Sequence, residues 1–266
     1  MFLVARIAGV LALALVCAPQ AAHGQSADDA PPSVEDLLTA ARETQLRDLA
    51  AWTSWSFERN VVRRRLERDG SVRSSERLDF RVSPRAGGVD ELLQAIDGAK
   101  PSARQVSSHR RAARFAERHR ELLGEEGKGG DDGYTLRSLL DMSEYTYGGL
   151  ETRGGRPCHR LDFSPRPEEQ SGVAGRVADA SAGTLWISVQ GAHLVEARAE
   201  TTRPVGVSLG LIRVVRLAAD YVGFEVDEGL WLPQRIEVYS DVRVVGGLVR
   251  KHNTFNYGGF EKPPGR

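Results

Sequence analysis

The sequence has little cysteine, little lysine and no net charge. Its two cysteines are Cys17 and Cys158, and Cys17 lies in an N-terminal segment that we expect to be removed, so the remaining chain cannot form an internal disulfide. Lysine occurs only at positions 100, 128, 251 and 262. The 36 basic residues, mostly arginine, are balanced by 36 acidic residues. A neutral chain has no overall field for nucleic acid, so no nucleic-acid partner is predicted.

Beyond its N-terminus, the sequence also lacks an apolar run long enough to cross a bilayer as a helix. The N-terminus itself contains one basic residue, Arg6, followed by an apolar run over 7–18. Ala22 and Gly24 then provide small residues at the −3 and −1 positions of a cleavage site. This order is typical of a secretory signal peptide, so we predict that residues 1–24 direct export to the periplasm and are then cleaved. Cys17 raises the alternative of a lipoprotein, which the bulky Val16 before it disfavours.

Metal and phosphate motifs are missing as well. The histidines after the predicted cleavage site show neither H-x-H nor H-x₃-H spacing. Cys158 and His159 are neighbours, whose side chains would face opposite ways in a strand. Gly127-Lys128-Gly129 lacks the length and the hydroxyl residue of a phosphate loop. We therefore predict no metal and no cofactor.

The first structured segment reads as a helix followed by a hairpin. Ser33 can cap a helix whose apolar stripe is Val34, Leu37, Leu38, Ala41 and Leu49. From position 52 the apolar period changes to two, and Asp69-Gly70 predicts a tight hairpin turn. The outgoing strand would present Trp55, Phe57 and Val61 on one face, and the returning strand Leu78, Phe80 and Val82.

The next segment is predicted to be a helical insertion at about 88–124. Val89, Leu92, Leu93 and Ile96 have the i, i+3, i+4, i+7 spacing of a helix over 89–97, which Gly98 and Pro101 would end. A second helix over about 108–123 would carry basic residues on one face: Arg110, Arg111, Arg114 and Arg118. This face is either a solvated surface or a docking site for acidic headgroups or a membrane-associated partner protein.

The remainder of the chain, from about Tyr145, is typical of antiparallel strands. Residues 235–244 alternate cleanly, with Ile236 and Val238 on the apolar side and Arg235 and Glu237 on the polar side. Turn signals recur at Gly154-Gly155, Gly191, Asp227-Glu228-Gly229 and Gly246-Gly247. We therefore predict an α+β fold that is mostly antiparallel β, in a single domain over 25–266.

A family resemblance rests on four stretches in this order. They are Gly148–Glu151 with Gly155–Pro165, Gly183–Ile187, Gly229–Pro233 and Tyr257–Phe260. The series is similar to LolA-like proteins, a superfamily that includes the outer-membrane lipoprotein-sorting carriers. The resemblance covers about 145–260, whereas 33–82 match only as a helix followed by a long hairpin.

The resemblance implies an incomplete, half β-barrel closed by helices, whose concave apolar face can hold an acyl chain. Its implied activity is binding of an apolar ligand, a lipid or the acyl chains of a lipoprotein, as in a lipoprotein or lipid carrier. The alternative is an envelope sensor or interaction module on the same fold. The apolar residues fit a packed core equally well. The candidate lining residues are Trp55, Phe57, Leu78, Phe80, Leu161, Phe163, Ile236 and Val238.

One motif points to an enzyme instead. Gly206 to Gly210 fits G-x-S-x-G, with Ser208 as nucleophile and Asp220 or Asp241, then His252, as the remaining triad members. That motif needs a strand-to-helix turn, whereas residues 211–215 are strand-like and the β/α alternation is absent. We therefore expect no catalytic centre.

Overall fold

The computed structural model describes residues 32–85, 88–111, 143–166, 176–207 and 212–262. These residues include one long helix and eleven strands, and the eleven strands form a single sheet. Helix α1 is Val34–Trp52. The strands are β1 Ser56–Leu66, β2 Val72–Arg85, β3 Gly88–Ile96, β4 Ser143–Arg153, β5 Arg156–Pro165, β6 Ser181–Ser188, β7 Leu194–Thr201, β8 Val205–Val207, β9 Ile212–Asp227, β10 Leu230–Val244 and β11 Gly247–Glu261.

Neighbouring strands of the sheet are antiparallel throughout. The order is β3-β2-β1-β11-β10-β9-β7-β6-β5-β4, and the short β8 pairs with β9 beside this path. In the described residues β3 and β4 are the two edges and do not pair, so the sheet is an incomplete barrel. The predicted fold class, α+β with a mostly antiparallel half-barrel, is confirmed.

Helix α1 begins where its sequence predicts. The Ser33 hydroxyl accepts a hydrogen bond from the Asp36 amide at 3.1 Å, which satisfies one of the free donors of the first turn. The apolar stripe then turns Leu37 and Ala41 into the protein, where both are buried. The helix packs mainly against β10, across the middle of the sheet.

The hairpin at Asp69-Gly70 is confirmed, with a longer loop than a two-residue turn. Gly70 has a φ of +87°, a conformation that glycine adopts without steric cost. The loop covers residues 67–71, and the Glu67 amide donates to the Ser71 carbonyl at 2.9 Å. Beyond it, β1 and β2 pair from Leu66 opposite Val72 to Phe57 opposite Val82.

The predicted helix over 89–97 is wrong, because these residues form strand β3. A β-bulge explains the misleading spacing. Leu93 lies opposite Phe80 and Ile96 lies opposite Leu78, although only Asp79 separates the two partners on β2. Gln94 is the extra residue, so two apolar side chains on one face are three positions apart and mimic a helical repeat. The helical insertion therefore does not begin at 88.

A helix does follow, over residues 103–111, five residues earlier than predicted. The Ser102 hydroxyl accepts from the Gln105 amide at 3.3 Å, while Gln105 Oε1 accepts from the Ser102 amide at 2.9 Å. This reciprocal pair is a capping box, whose Ser-x-x-Gln spacing is visible in the sequence. The predicted continuation to 123 lies outside the described residues.

Two other predictions also fall outside the described residues: the signal peptide over 1–24 and the turn containing Ser208. None of the described helices is both long enough and apolar enough to span a membrane.

Candidate functional site

The candidate site is the face of the sheet that α1 covers, which we call the inner face. Directly opposed residues in neighbouring antiparallel strands share a face, so the register traces rows across the sheet. One row passes through Leu161, Leu185, Ala197, Tyr221, Ile236, Phe255, Val61 and Leu78. Nearly every member is apolar. The inner face therefore carries a continuous apolar band from β5 to β2.

Under α1 this band forms a packed core. Four of the eight predicted lining residues belong to it, and all four are buried: Leu161, Phe163, Ile236 and Val238. Leu37 and Ala41 of α1 pack into the same cluster. These four residues thus have protein neighbours on the helix side, as expected if they belong to a packed core rather than to a ligand cavity.

The other end of the band lies on β1, β2 and β3 and forms a separate cluster, which we call the wing cluster. It consists of Val61, Leu78, Phe80 and Leu93, with Ile96 and Phe255 packed against it. Among the described residues, no α1 side chain belongs to this cluster. The helix over 103–111 contacts it instead, since the His109 ring lies 6.1 Å from the Phe80 ring. Burial lowers the pKa of His109, and the charge of Arg63 lowers it further.

The last two predicted lining residues, Trp55 and Phe57, are buried where α1 meets β1. Phe57 lies 5.4 Å from the Trp52 ring and 5.5 Å from the Phe260 ring, in a stacked geometry with Phe260. These aromatic contacts close the end of the core beneath the last turn of α1. All eight predicted residues are buried, and whether they line a ligand stays a prediction.

Two polar contacts fasten α1 to the turn between β6 and β7. The Thr44 hydroxyl donates to the Gly191 carbonyl at 2.9 Å. Asp48 Oδ2 lies 2.9 Å from His193 Nδ1, and the imidazole stacks on Trp231 with ring centroids 5.6 Å apart. Sequence reasoning missed this pair because its members are 145 residues apart.

The end of the inner face beyond the wing cluster is cationic. Arg63 and Arg65 continue the alternation that starts with Phe57 and Val61, and Lys251 lies opposite Arg65 on β11. The alternation in the sequence was sufficient to place these arginines on the apolar side of β1, yet they were not singled out as candidates.

The outer face has its own small cluster, of Cys158, Trp186, Val195 and Trp231. Arg153 lies over the Trp186 ring, 4.2 Å from its centroid. Burial raises the pKa of the Cys158 thiol, which disfavours the reactive thiolate. His159 lies on the other face of β5, with its Nδ1 3.2 Å from the Tyr147 hydroxyl, and burial lowers its pKa. The two neighbours therefore face opposite ways, as predicted.

The other members of the hydrolase motif are separately partnered. Asp220 is 3.6 Å from Arg198, Asp241 is 3.4 Å from Arg250, and His252 is 3.6 Å from Glu237. Across the described ranges, no three His, Cys, Asp or Glu side chains are grouped so as to hold a metal ion.

The predicted docking face is described only in part. Arg110 and Arg111 are exposed within the helical segment over 103–111, whereas Arg114 and Arg118 lie outside the described residues. Docking through these arginines stays a prediction.

Neither the scan of protein-family models nor the search of curated proteins gave a match. Solved structures do resemble the chain, each at 11% identity. A LolA superfamily protein from Nitrosomonas europaea matches over 89% of this chain and 96% of its own, with a TM-score of 0.33.

An outer-membrane lipoprotein-sorting protein domain from Vibrio parahaemolyticus matches over 88% and 95%, with a TM-score of 0.37. The lipoprotein LppX of Mycobacterium tuberculosis matches over 88% and 99%, with a TM-score of 0.30. Each match is remote, and none assigns a ligand, a partner or a reaction to this chain.

Proposed function

We propose that the chain is an exported periplasmic protein that binds an apolar ligand, either a lipid or the acyl chains of a lipoprotein, on the inner face of its half-barrel. The observation that carries the proposal is the division of the inner-face apolar band. Helix α1 packs onto the part of the band that lies on strands β4 to β10. The wing cluster, on β1 to β3, is separate from that core.

The wing cluster is the part of the band suited to a ligand. A described contact between this cluster and the helix over 103–111 is the one between the His109 and Phe80 rings. An acyl chain that replaced this helix on the sheet would bury Val61, Leu78 and Phe80 against methylene groups, at about 0.8 kcal/mol for each methylene. The core under α1 would keep the fold intact meanwhile.

The activity we propose is binding rather than bond-making. The wing cluster consists of hydrocarbon side chains, which hold a ligand by contact area and select poorly between chain types. Such a site suits a carrier of lipids or acylated proteins, which must accept and release its cargo unchanged.

Native mass spectrometry of the protein recovered from the periplasm tests this proposal. The expected result is a mass increment that matches a bound lipid and that disappears on denaturation. Titration with a fluorescent fatty acid provides the second measurement, with saturable binding expected in the micromolar range. Absence of a bound lipid together with absence of fatty-acid binding would overturn the proposal.

A further inference from the structure

Strands β1 and β11 place a group of cations on the inner face, directly beyond the wing cluster. Arg65 is opposite Lys251 and Arg63 is opposite Asn253, so all four side chains share the face of Val61 and Phe255. Alternate residues on a strand are about 7 Å apart, so Arg63 begins one step beyond the buried Val61. We call Arg63, Arg65 and Lys251 the cationic cluster.

The cationic cluster is short of negative charge. Within the described part of the chain, Glu76 is the one carboxylate paired with it, 3.6 Å from the Arg63 guanidinium. Among the described residues, neither Arg65 nor Lys251 forms a salt bridge. Burial lowers the pKa of Lys251, and the charges of Arg65 and Arg63 lower it further. Three cations thus repel one another at a site where one carboxylate offsets them, and a bound anion would relieve that repulsion.

Arg59, on the same strand, differs from Arg65 and Lys251 because its charge is paired. Its guanidinium lies 2.7 Å from Glu91 on β3 and 4.9 Å from the centre of the Phe80 ring. Arg59 therefore has both a charge partner and a packing partner within the wing. The surplus charge is confined to the far end of β1, near the loop over 67–71.

From this arrangement we infer that the cationic cluster binds the phosphate group of an anionic lipid whose acyl chains lie on the wing cluster. The inference rests on the proposed function, because it uses the wing cluster as the acyl site. A phosphate fits the cluster better than a carboxylate does. It presents several acceptor oxygens to Arg65 and Lys251 together, and it can carry enough charge to balance both.

A matched set of ligands separates the headgroup from the chains. The probes are dioctanoyl phosphatidic acid, dioctanoylglycerol, which lacks the phosphate, and glycerophosphate, which lacks the chains. Affinities for the full chain are measured by isothermal titration below the micelle-forming concentration of each lipid. Phosphatidic acid should bind at least about tenfold more tightly than dioctanoylglycerol, because charge-assisted hydrogen bonds form only with the phosphate. Added salt should narrow that difference.

The decisive variant is the double substitution Arg65→Gln with Lys251→Gln. It should remove the advantage of phosphatidic acid and leave dioctanoylglycerol binding unchanged. The matched control is Arg213→Gln with Arg243→Gln, a second pair of opposed cations on the outer face, which removes the same charge. This control should leave both affinities unchanged. Thermal unfolding of each variant verifies that its fold is intact.

The outcomes are distinguishable. Equal wild-type affinity for the two lipids would overturn the phosphate site and leave the proposed function standing. Binding of neither lipid would overturn both. Glycerophosphate binding as tight as that of phosphatidic acid would identify a free-phosphate site and overturn its assignment to a lipid. An equal loss of phosphatidic acid binding in the outer-face control would show that the affinity depends on net charge alone. That result would overturn the assignment of a phosphate site to the cationic cluster.

Discussion

Asp48 on helix α1 and His193 in the turn between β6 and β7 form a buried pair, with Oδ2 and Nδ1 2.9 Å apart. Both residues are about 5% exposed or less. The His193 amide also donates to the Ser188 hydroxyl at 2.9 Å, so the turn presents the imidazole in one fixed position. This pair connects the one long described helix to the turn between β6 and β7.

Replacing Asp48 by Ala should destabilise the protein by about 2–3 kcal/mol, because the buried His193 Nδ1 is left without its hydrogen-bond partner. The free energy of unfolding in urea measures the effect. Arg47 provides the control, since it lies 3.7 Å from the other carboxylate oxygen of Asp48 but is more than half exposed. Arg47→Gln should cost less than about 1 kcal/mol. Equal losses in the two variants would contradict a structural role for the buried pair.

Gly183 on β6 should not tolerate a side chain. A Cβ at this position would collide with the carbonyl oxygen of Arg198 on the next strand and with the Phe163 ring. Gly183→Ala is expected to cost about 1–3 kcal/mol, because the carbonyl belongs to the sheet and cannot move aside. Gly206→Ala is the control, since a Cβ there would meet no atom within 4 Å. Equal stability of the two variants in thermal unfolding would contradict the close approach of Arg198 and Phe163 to Gly183.

Glu151 on β4 should make stability depend on acid pH. Hydrogen bonds from Trp186 Nε1, Arg153 and Arg160 lower the pKa of Glu151 from its ordinary 4.5 to about 2. The carboxylate form is therefore favoured in the folded state. Its contribution to stability is complete above the unfolded pKa of 4.5 and is lost as the pH falls toward 2.

Glu151→Gln isolates this contribution. The difference in urea midpoint between wild type and variant should be constant near neutral pH and should shrink steadily below about pH 4.5. A difference that stays the same down to pH 3 would show that Glu151 is not held by these hydrogen bonds.

Much of the sheet could be predicted because one face of each strand is buried. The alternation at 235–244 and the Gly70 turn are local signals, and both are found in the structure. Residues 89–97 were misread because a bulge at Gln94 gave a strand the spacing of a helix. A bulge depends on the partner strand, so a pattern within one segment could not reveal it.

The candidate site could be predicted only in part, because the sequence pattern gives the face of each residue but not its distant neighbours. The alternation placed apolar residues on the inner face, and all eight candidates are buried. It could not separate Phe163, which packs beneath α1, from Phe80, which does not, because that difference depends on where a distant helix crosses the sheet. The pairing of Arg65 with Lys251 likewise depends on the register between β1 and β11.

Phe80 and Phe163 should respond differently to a charge. Phe163→Glu would bury an unpaired carboxylate in the packed core and should unfold the protein, whereas Phe80→Glu would place a carboxylate beside the Arg59 guanidinium. We expect Phe80→Glu to retain its melting transition and to lose fluorescent fatty-acid binding.

Leu92→Glu is the control for Phe80→Glu, since Leu92 is the exposed neighbour of Leu93 on β3, at 43% exposure. It should retain both the fold and the binding. A Phe80→Glu variant that binds fatty acid like wild type would remove the wing cluster from the ligand site.

Photo-crosslinking of the wild-type protein with a diazirine fatty acid, followed by peptide mapping, tests the central claim most directly. The predicted result is labelling of peptides from β1, β2 and β3, around Val61, Phe80 and Leu93, which excess unlabelled fatty acid suppresses. Labelling that unlabelled fatty acid does not suppress, or that is confined to strands β4 to β10 beneath α1, would contradict the assignment of the ligand site to the wing cluster.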